Sequence, residues 1–192
     1  YNATDAAGNA ATAVTRSVTV KDITPPMVTN VTSTTSDGYY KSSGTVDITV
    51  TFSKIVTVTG TPQITLETGD TDRVVDYTSG SGTDTIKFSY TVQNGDNSSD
   101  LDYVSTSSLS LNSGTISSTE GKAATLTLAS PGTASSLGAN KALVVDTEIP
   151  VVSFIDSQIL TWRYGTTFID PGVLVSDNID NALSASSTTR II

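Results

Sequence analysis

Residues 46–52 read VDITVTF and residues 85–92 read TIKFSYTV, so apolar and polar side chains alternate through both segments. A period of two is typical of a β-strand that buries one face and exposes the other. No amphipathic helix longer than a turn or two is evident. Further strands are predicted at residues 27–33, 55–59, 63–67, 73–77, 108–111, 124–128 and 142–145. The pattern therefore predicts an all-β chain built as a two-sheet sandwich.

The composition favours the same fold class and excludes several kinds of function. The 34 Thr and 27 Ser residues are abundant for 192 positions, and Thr suits the pleated surface of a sheet. There is no His and no Cys, which removes the usual general base, thiolate metal sites and disulfides. We therefore predict that the chain is not an enzyme.

The charge and hydropathy of the chain bear on its partners. A net charge of -9 repels nucleic acid and anionic membranes and attracts divalent cations. The apolar runs are far too short to span a bilayer, so we expect no membrane insertion in this segment. The chain opens at Tyr1 without an initiator Met or a signal peptide. We expect it to be a segment of a longer protein.

Two internal repeats predict the domain boundaries. Residues 22–28, DITPPMV, resemble residues 146–152, DTEIPVV, and each copy follows a Val-rich segment predicted to be a strand, at 17–20 and 142–145. Proline after such a strand makes a stiff, extended linker. The second repeat is GNAAT at 8–12 against GKAAT at 121–125. We predict the end of one domain at 1–22, a complete domain at 23–147 and the start of another at 148–192.

The central region resembles the tandem immunoglobulin-like repeats of very large bacterial surface proteins and adhesins. The resemblance covers residues 22–147, about two thirds of the chain. The segments that carry it are residues 52–54, 58–62, 77, 79–83, 95–96, 100–103 and 144–147. The chain departs from the family pattern at Lys54, where Glu or Asp is usual, and at residues 121–122, where Gly-Asn is usual. The resemblance implies an immunoglobulin-like β-sandwich in an extended tandem array.

The two flanks resemble the halves of a shorter bacterial immunoglobulin-like module. Its first half is similar to residues 164–173 and 176–180, and its last half is similar to residues 1–10. Residues 148–192 would then begin a module of the type that residues 1–22 finish. This resemblance implies a repeat array on a bacterial cell surface or in a secreted fibre.

Two acidic sets are candidate calcium sites. Calcium takes about six to eight oxygen ligands and tolerates irregular loops. The first set consists of Asp170, Asp177, Asn178, Asp180 and Asn181, which Asp5 and Asn9 could complete. The second, weaker set consists of Asp96, Asp100 and Asp102. Asp22 and Asp146 are positioned for a cation at the domain junctions. In each case the alternative is that Asp and Asn only build turns.

Three functions remain open at this point. The first is a non-catalytic spacer in an extracellular bacterial adhesin or surface fibre, with neighbouring repeats as partners and surface glycans or a host or biofilm ligand as further partners. The second is a self-assembling filament subunit, in which residues 1–22 of one copy complete residues 148–192 of the next by strand addition. A carbohydrate-binding module is the third, with Trp162 and Tyr164 as a stacking surface, although aromatic residues in such strands are usually core.

Overall fold

The computed structural model describes residues 2–156, 161, 163–167, 171–180 and 183. Over these residues the protein is essentially all-β, with one single-turn helix. None of the described helical residues forms a segment long and apolar enough to cross a membrane. The elements are β1 Val28–Ser33, β2 Gly38–Tyr40, β3 Thr45–Thr59, β4 Gln63–Glu67, β5 Arg73–Ser79, β6 Thr83–Thr91, β7 Asp102–Tyr103, β8 Leu109–Ser110, β9 Thr115–Ser118, α1 Leu137–Asn140, β10 Leu143–Val145, β11 Val151–Phe154 and β12 Val173–Ser176.

The antiparallel ladder between β3 and β6 forms the centre of the core, as the alternation of residues 46–52 and 85–92 predicts. On one face, three cross-strand pairs are buried. These pairs are Val46 with Tyr90, Ile48 with Phe88, and Val50 with Ile86. On the other face, Asp47 accepts a hydrogen bond from Ser89 Oγ at 2.7 Å and lies 2.7 Å from Lys87 Nζ. The two faces are thus divided between core and solvent.

The main sheet curls because β3 changes partners along its length. The order is β1-β3-β6-β5-β4-β7, and β8 pairs with β4. The first part of β3 pairs with β1 and β6, whereas Val56 to Thr59 pair with β9, after an irregularity between Thr51 and Val56. Residues 46–52 and 55–59, predicted as two strands, are therefore one bent strand. Among the described residues, the side chains of the buried apolar cluster come from positions 31 to 145 of the sequence.

A separate parallel pair joins the two ends of this central region. Strand β10 pairs with β2, with Leu143 opposite Gly38 and Val145 opposite Tyr40. On its other side, Val145 exchanges hydrogen bonds with Ser98 at 2.7 and 2.8 Å. Strand β10 therefore lies between two neighbours and is held from both sides.

The chain enters and leaves this region at opposite ends of the β3–β6 ladder. Met27 exchanges two hydrogen bonds with Ser53, at the Phe52 end. Thr147 accepts a hydrogen bond from Gly95 N at 2.9 Å, in the loop after β6, whose Thr91 pairs with Thr45. Seven residues of extended strand separate Thr45 from Phe52, about 23 Å at the usual rise.

Beyond the central region, β11 and β12 form a two-stranded antiparallel hairpin. The pairs run from Val151 with Ser176 to Phe154 with Val173. All four residues of β11 are exposed, and β12 alternates between half-buried and exposed.

Two predicted strands differ from the structure. Residues 124–128 belong to none of the strands, and Thr125 makes only an isolated bridge to Met27. Residues 17–20 belong to no assigned strand. In contrast, β2, β7, β9 and α1 were not predicted. These elements are only two to four residues long, too short for a periodic pattern to develop.

Candidate functional site

Asp5 and Asn9 lie together in a tight turn. Asp5 Oδ1 accepts hydrogen bonds from the backbone N–H groups of Ala7 at 2.9 Å and Asn9 at 2.8 Å, and Asp5 Oδ2 accepts from Asn9 Nδ2 at 2.9 Å. Gly8, with φ of 91°, supplies the left-handed residue that closes the turn. The hydrogen bonds from Asn9 lower the pKa of the Asp5 carboxyl. Both carboxylate oxygens therefore help to build the turn.

Asp177 organises the loop after β12. Its Oδ1 accepts hydrogen bonds from the N–H groups of Ile179 at 3.0 Å and Asp180 at 3.1 Å, and these bonds lower its pKa. Asp177, Asn178 and Asp180 therefore lie in one short loop, and calcium binding by them stays a prediction. Asp170 and Asn181, the other members of that candidate set, lie outside the described residues.

Acidic side chains gather where the central region meets the hairpin. Asp146 follows β10, and burial raises the pKa of its carboxyl. The negative charges of Asp177, Asp180 and Glu148 add to that rise. A hydrogen bond from Glu148 N to Asp146 Oδ1 at 3.1 Å acts in the opposite direction. Among the described residues, this junction therefore concentrates negative charge.

The other junction contains its own cation. Lys54 Nζ forms an ion pair with Asp22, and it donates hydrogen bonds to the carbonyl oxygen of Thr24 at 3.1 Å and to Thr24 Oγ1 at 2.6 Å. The hydrogen bond from Lys54 holds the pKa of Asp22 well below its usual range. The sequence around Lys54 gives no indication that Asp22 is its partner. Lys54 ties the linker to β3.

Asp96 belongs to a buried polar network. Its carboxylate is fully buried, with Oδ1 2.6 Å from Arg73 Nε, and Oδ2 accepts from Tyr90 Oη at 2.6 Å and from Gln93 N at 2.8 Å. Burial, followed by the hydrogen bond to Asp96, raises the pKa of Tyr90. The network joins β5, β6 and the loop after β6. Nothing in the sequence around Arg73 or Tyr90 indicates that these side chains contact Asp96.

The structure brings Asp100 and Asp102 together but gives Asp96 different partners. The Oδ2 atoms of Asp100 and Asp102 both lie within 3.3 Å of the position that a Cβ on Gly138 would occupy. Asp102 accepts hydrogen bonds from Gly132 N and Tyr103 N, each at 2.9 Å. Burial and the charge of Asp102 raise the pKa of Asp100. A Cβ at position 138 would therefore crowd the two carboxylates.

These arrangements bear on metal binding and on sugar stacking. Within the part of the chain that the structure describes, no group of three or more acidic side chains is close enough to hold a metal ion. Calcium binding by either candidate set remains a prediction. Trp162 lies outside the described residues, and Tyr164 is fully exposed in a turn. A stacking surface formed by the two is likewise untested.

No family model, curated protein or solved structure matches the chain.

The first prediction concerns the Asp96 network. Replacing Arg73 with Met leaves a buried carboxylate without its cation, which typically costs about 3 to 5 kcal/mol. Replacing Lys87 with Met removes the partner of Asp47 on the solvent face, where a pair contributes only about 0 to 1 kcal/mol. Urea denaturation of both variants measures the difference. Equal losses in the two variants would contradict a structural role for the buried pair.

The second prediction concerns Asp146. Its pKa is higher in the folded state, so its charged form opposes folding at neutral pH, and this cost disappears as the pH falls toward about 4, near the unfolded value. With a chelator present, Asp146→Asn is expected to be more stable than the native chain at neutral pH. This gain in stability should vanish as the pH approaches about 4. Thermal melts across this range measure it, with Asp70→Asn, in an exposed turn, as control. A loss of stability at neutral pH would refute the assignment.

Proposed function

We propose that this chain is a non-catalytic spacer repeat of an extracellular bacterial adhesin or surface fibre, whose curled sheet closes as an immunoglobulin-like β-sandwich. The observation that carries the proposal is the path of the chain through the central region. The linker before β1 is attached at the Phe52 end of the β3–β6 ladder, and the segment after β10 is attached at the Thr91 end. A unit with this path adds its length to an array.

The pairing of β2 with β10 suits such a unit to carrying tension. Strand β1 pairs antiparallel with β3, so it runs from the Phe52 end toward the other end, and β2 and β10 run parallel to each other. Tension on the two linkers would pull β1 and β2 in one direction and β10 in the other. The hydrogen bonds between β2 and β10, including Gly38 N to Ala142 O and Asp146 N to Tyr40 O at 3.0 Å, would then be loaded together. Bonds loaded together must break together, and this gives mechanical resistance.

We propose in addition that calcium binds at the junction that follows β10. Asp177, Asn178 and Asp180 offer oxygen ligands beside Asp146 and Glu148, and a divalent cation would offset the charge repulsion there. Lys54 performs a comparable task for Asp22 at the other junction. A cation at the second junction would hold the hairpin to the central region and stiffen the array.

A second candidate function, a filament subunit assembled by strand addition, is favoured by one observation. The hairpin of β11 and β12 exposes large apolar side chains, among them Val152 and Phe154. Two-stranded sheets are marginally stable by themselves. In a tandem array the covering strands would come from the same chain, and in a filament they would come from another copy.

The third prediction tests the spacer function by single-molecule stretching of the full chain between its ends. We expect one dominant force peak, with a gain in length that matches residues 27–145. Val144→Pro removes a backbone donor from β10 and should lower that force. Ser153→Pro removes a backbone donor from the β11–β12 ladder, outside the loaded pair, and should leave that force unchanged. A central region that unfolds without a resolved peak would reject a load-bearing role.

The fourth prediction tests calcium. A ligand that binds only the native state raises stability, by about 2.7 kcal/mol at a hundredfold excess over its dissociation constant. We expect the melting temperature to rise between excess chelator and millimolar calcium in the native chain and in Asp70→Asn. The rise should be reduced in the double variant Asp177→Asn, Asp180→Asn. If calcium leaves the native melting temperature unchanged, the structural cation is ruled out.

A further inference from the structure

One face of the β11–β12 hairpin is apolar across both strands. The register places Val152 opposite Val175 and Phe154 opposite Val173, so these four side chains share a face. Val152 is 62 % exposed and Phe154 is 57 % exposed, while Val173 and Val175 are half-buried. The other face carries Ser153 and Ser176 beside Val151 and Leu174. We call the first of these the valine-phenylalanine face.

Residues 15–21, TRSVTVK, have the properties of a strand that lacks a ladder. Arg16, Val18 and Val20 alternate with Thr and Ser, and Val and Thr favour extended backbone. Val18 is 78 % exposed and Val20 is 90 % exposed. Among the described residues, none forms a ladder with this segment. It thus exposes two valines on one side and a set of unpaired backbone groups.

We propose that residues 15–21 of one copy of this chain add as an edge strand to the β11–β12 hairpin of a second copy and extend its valine-phenylalanine face. Adding a strand extends the hairpin to three strands and places Val18 and Val20 beside Val152 and Phe154. The backbone groups of the added strand gain ladder hydrogen bonds, and the two valines leave water. Both changes favour association.

Charge complementarity favours residues 15–21 as the added strand. The segment carries Arg16 and Lys21 and no acidic residue. The hairpin is bordered by acidic side chains at its open end, where Glu148 and Asp177 line a groove of about 400 Å³ together with Ile149, Val151, Ser176 and Asn178. The chain has a net charge of -9, so a basic strand is an uncommon partner for this surface. Opposite charges speed docking and disfavour competing acidic strands.

The geometry favours a second copy over the same chain. Residues 15–21 precede Asp22, which is attached to Lys54 at the Phe52 end of the β3–β6 ladder. The hairpin follows Thr147, which is attached at the other end. To reach its own hairpin, the segment would have to run back over about 23 Å of ladder. The hairpin of a second copy can approach the segment without this run back over the ladder. Head-to-tail contacts of this kind extend into filaments.

This inference deepens the filament alternative by naming the strand and the face, and it stands apart from the spacer proposal. Stretching a single chain measures the central region whether or not copies associate. Failure of association would therefore leave the force result unaffected, and a missing force peak would leave the association result unaffected.

Disulfide cross-linking tests which surfaces meet, because the native chain has no Cys. We expect chains with Val18→Cys or Val20→Cys to cross-link to chains with Val152→Cys when mixed and oxidised. If Val152→Cys cross-links mainly to Val18→Cys, the strand adds parallel to β11. If it cross-links mainly to Val20→Cys, the strand adds antiparallel. Either outcome supports the proposal. Val74→Cys, an exposed valine of β5, is the control and should not cross-link above background. A chain carrying both Val18→Cys and Val152→Cys that closes on itself at high dilution would overturn the proposal.

Sedimentation of the full chain tests the energetics. We expect concentration-dependent association that Phe154→Ser weakens at least about tenfold, as expected for an aromatic residue central to an interface. Leu174→Ser, at a residue 61 % exposed on the opposite face, should have a much smaller effect. Reversing the charge of the basic residue at the Glu148 end, Arg16→Glu for parallel addition or Lys21→Glu for antiparallel addition, should weaken association, and combining that change with Glu148→Arg should restore it. A chain that stays monomeric at all concentrations, or equal effects of Phe154→Ser and Leu174→Ser, would overturn the proposal.

Discussion

The apolar pairing between β3 and β6 supports the remainder of the central region. Its three buried cross-strand pairs, from Val46 with Tyr90 to Val50 with Ile86, exclude water from the middle of the core. Strands β1 and β9 pair with β3, while β5 pairs with β6 and makes an edge-to-face aromatic contact between Tyr77 and Phe88, with ring centroids 6.4 Å apart. Each of these elements therefore depends on a ladder that the hydrophobic effect stabilises.

The chain places its few cations where particular carboxylates need them. Ten basic residues face nineteen acidic ones. Four ion pairs form among the described residues: Lys54 with Asp22, Arg73 with Asp96, Lys87 with Asp47, and Lys141 with Asp37. None of these four ion pairs of the described residues includes Asp146, Glu148, Asp177 or Asp180. The two junctions are thus related in sequence but opposite in electrostatics, and this contrast underlies the proposed role of calcium.

The sequence predicts those parts of the fold that depend on neighbours along the chain. The alternation of residues 46–52 and 85–92 identifies the central ladder because each strand records its own buried face. The turn residues Asp5 and Asp177 are likewise recognisable locally. The partnership of Asp96 with Arg73 is not, because the two are brought together only by the pairing of distant strands. Asp96 is therefore read as a turn residue or a calcium ligand, whereas its contacts are those of a buried ion pair. For the same reason, β2 escapes detection until β10 is placed beside it.

The parallel pairing of β2 with β10 also sets the order in which the central region can fold. Gly38 and Leu143 are neighbours in space but more than one hundred residues apart in sequence. Closing a loop of that length costs about 4 kcal/mol of chain entropy, so the contact becomes favourable only after the intervening ladders have shortened the path. Non-local contacts of this type slow folding. During synthesis, which proceeds from the N-terminus, the edge of β2 therefore stays open until Val145 has emerged, and the ribosome has by then released nearly the whole unit.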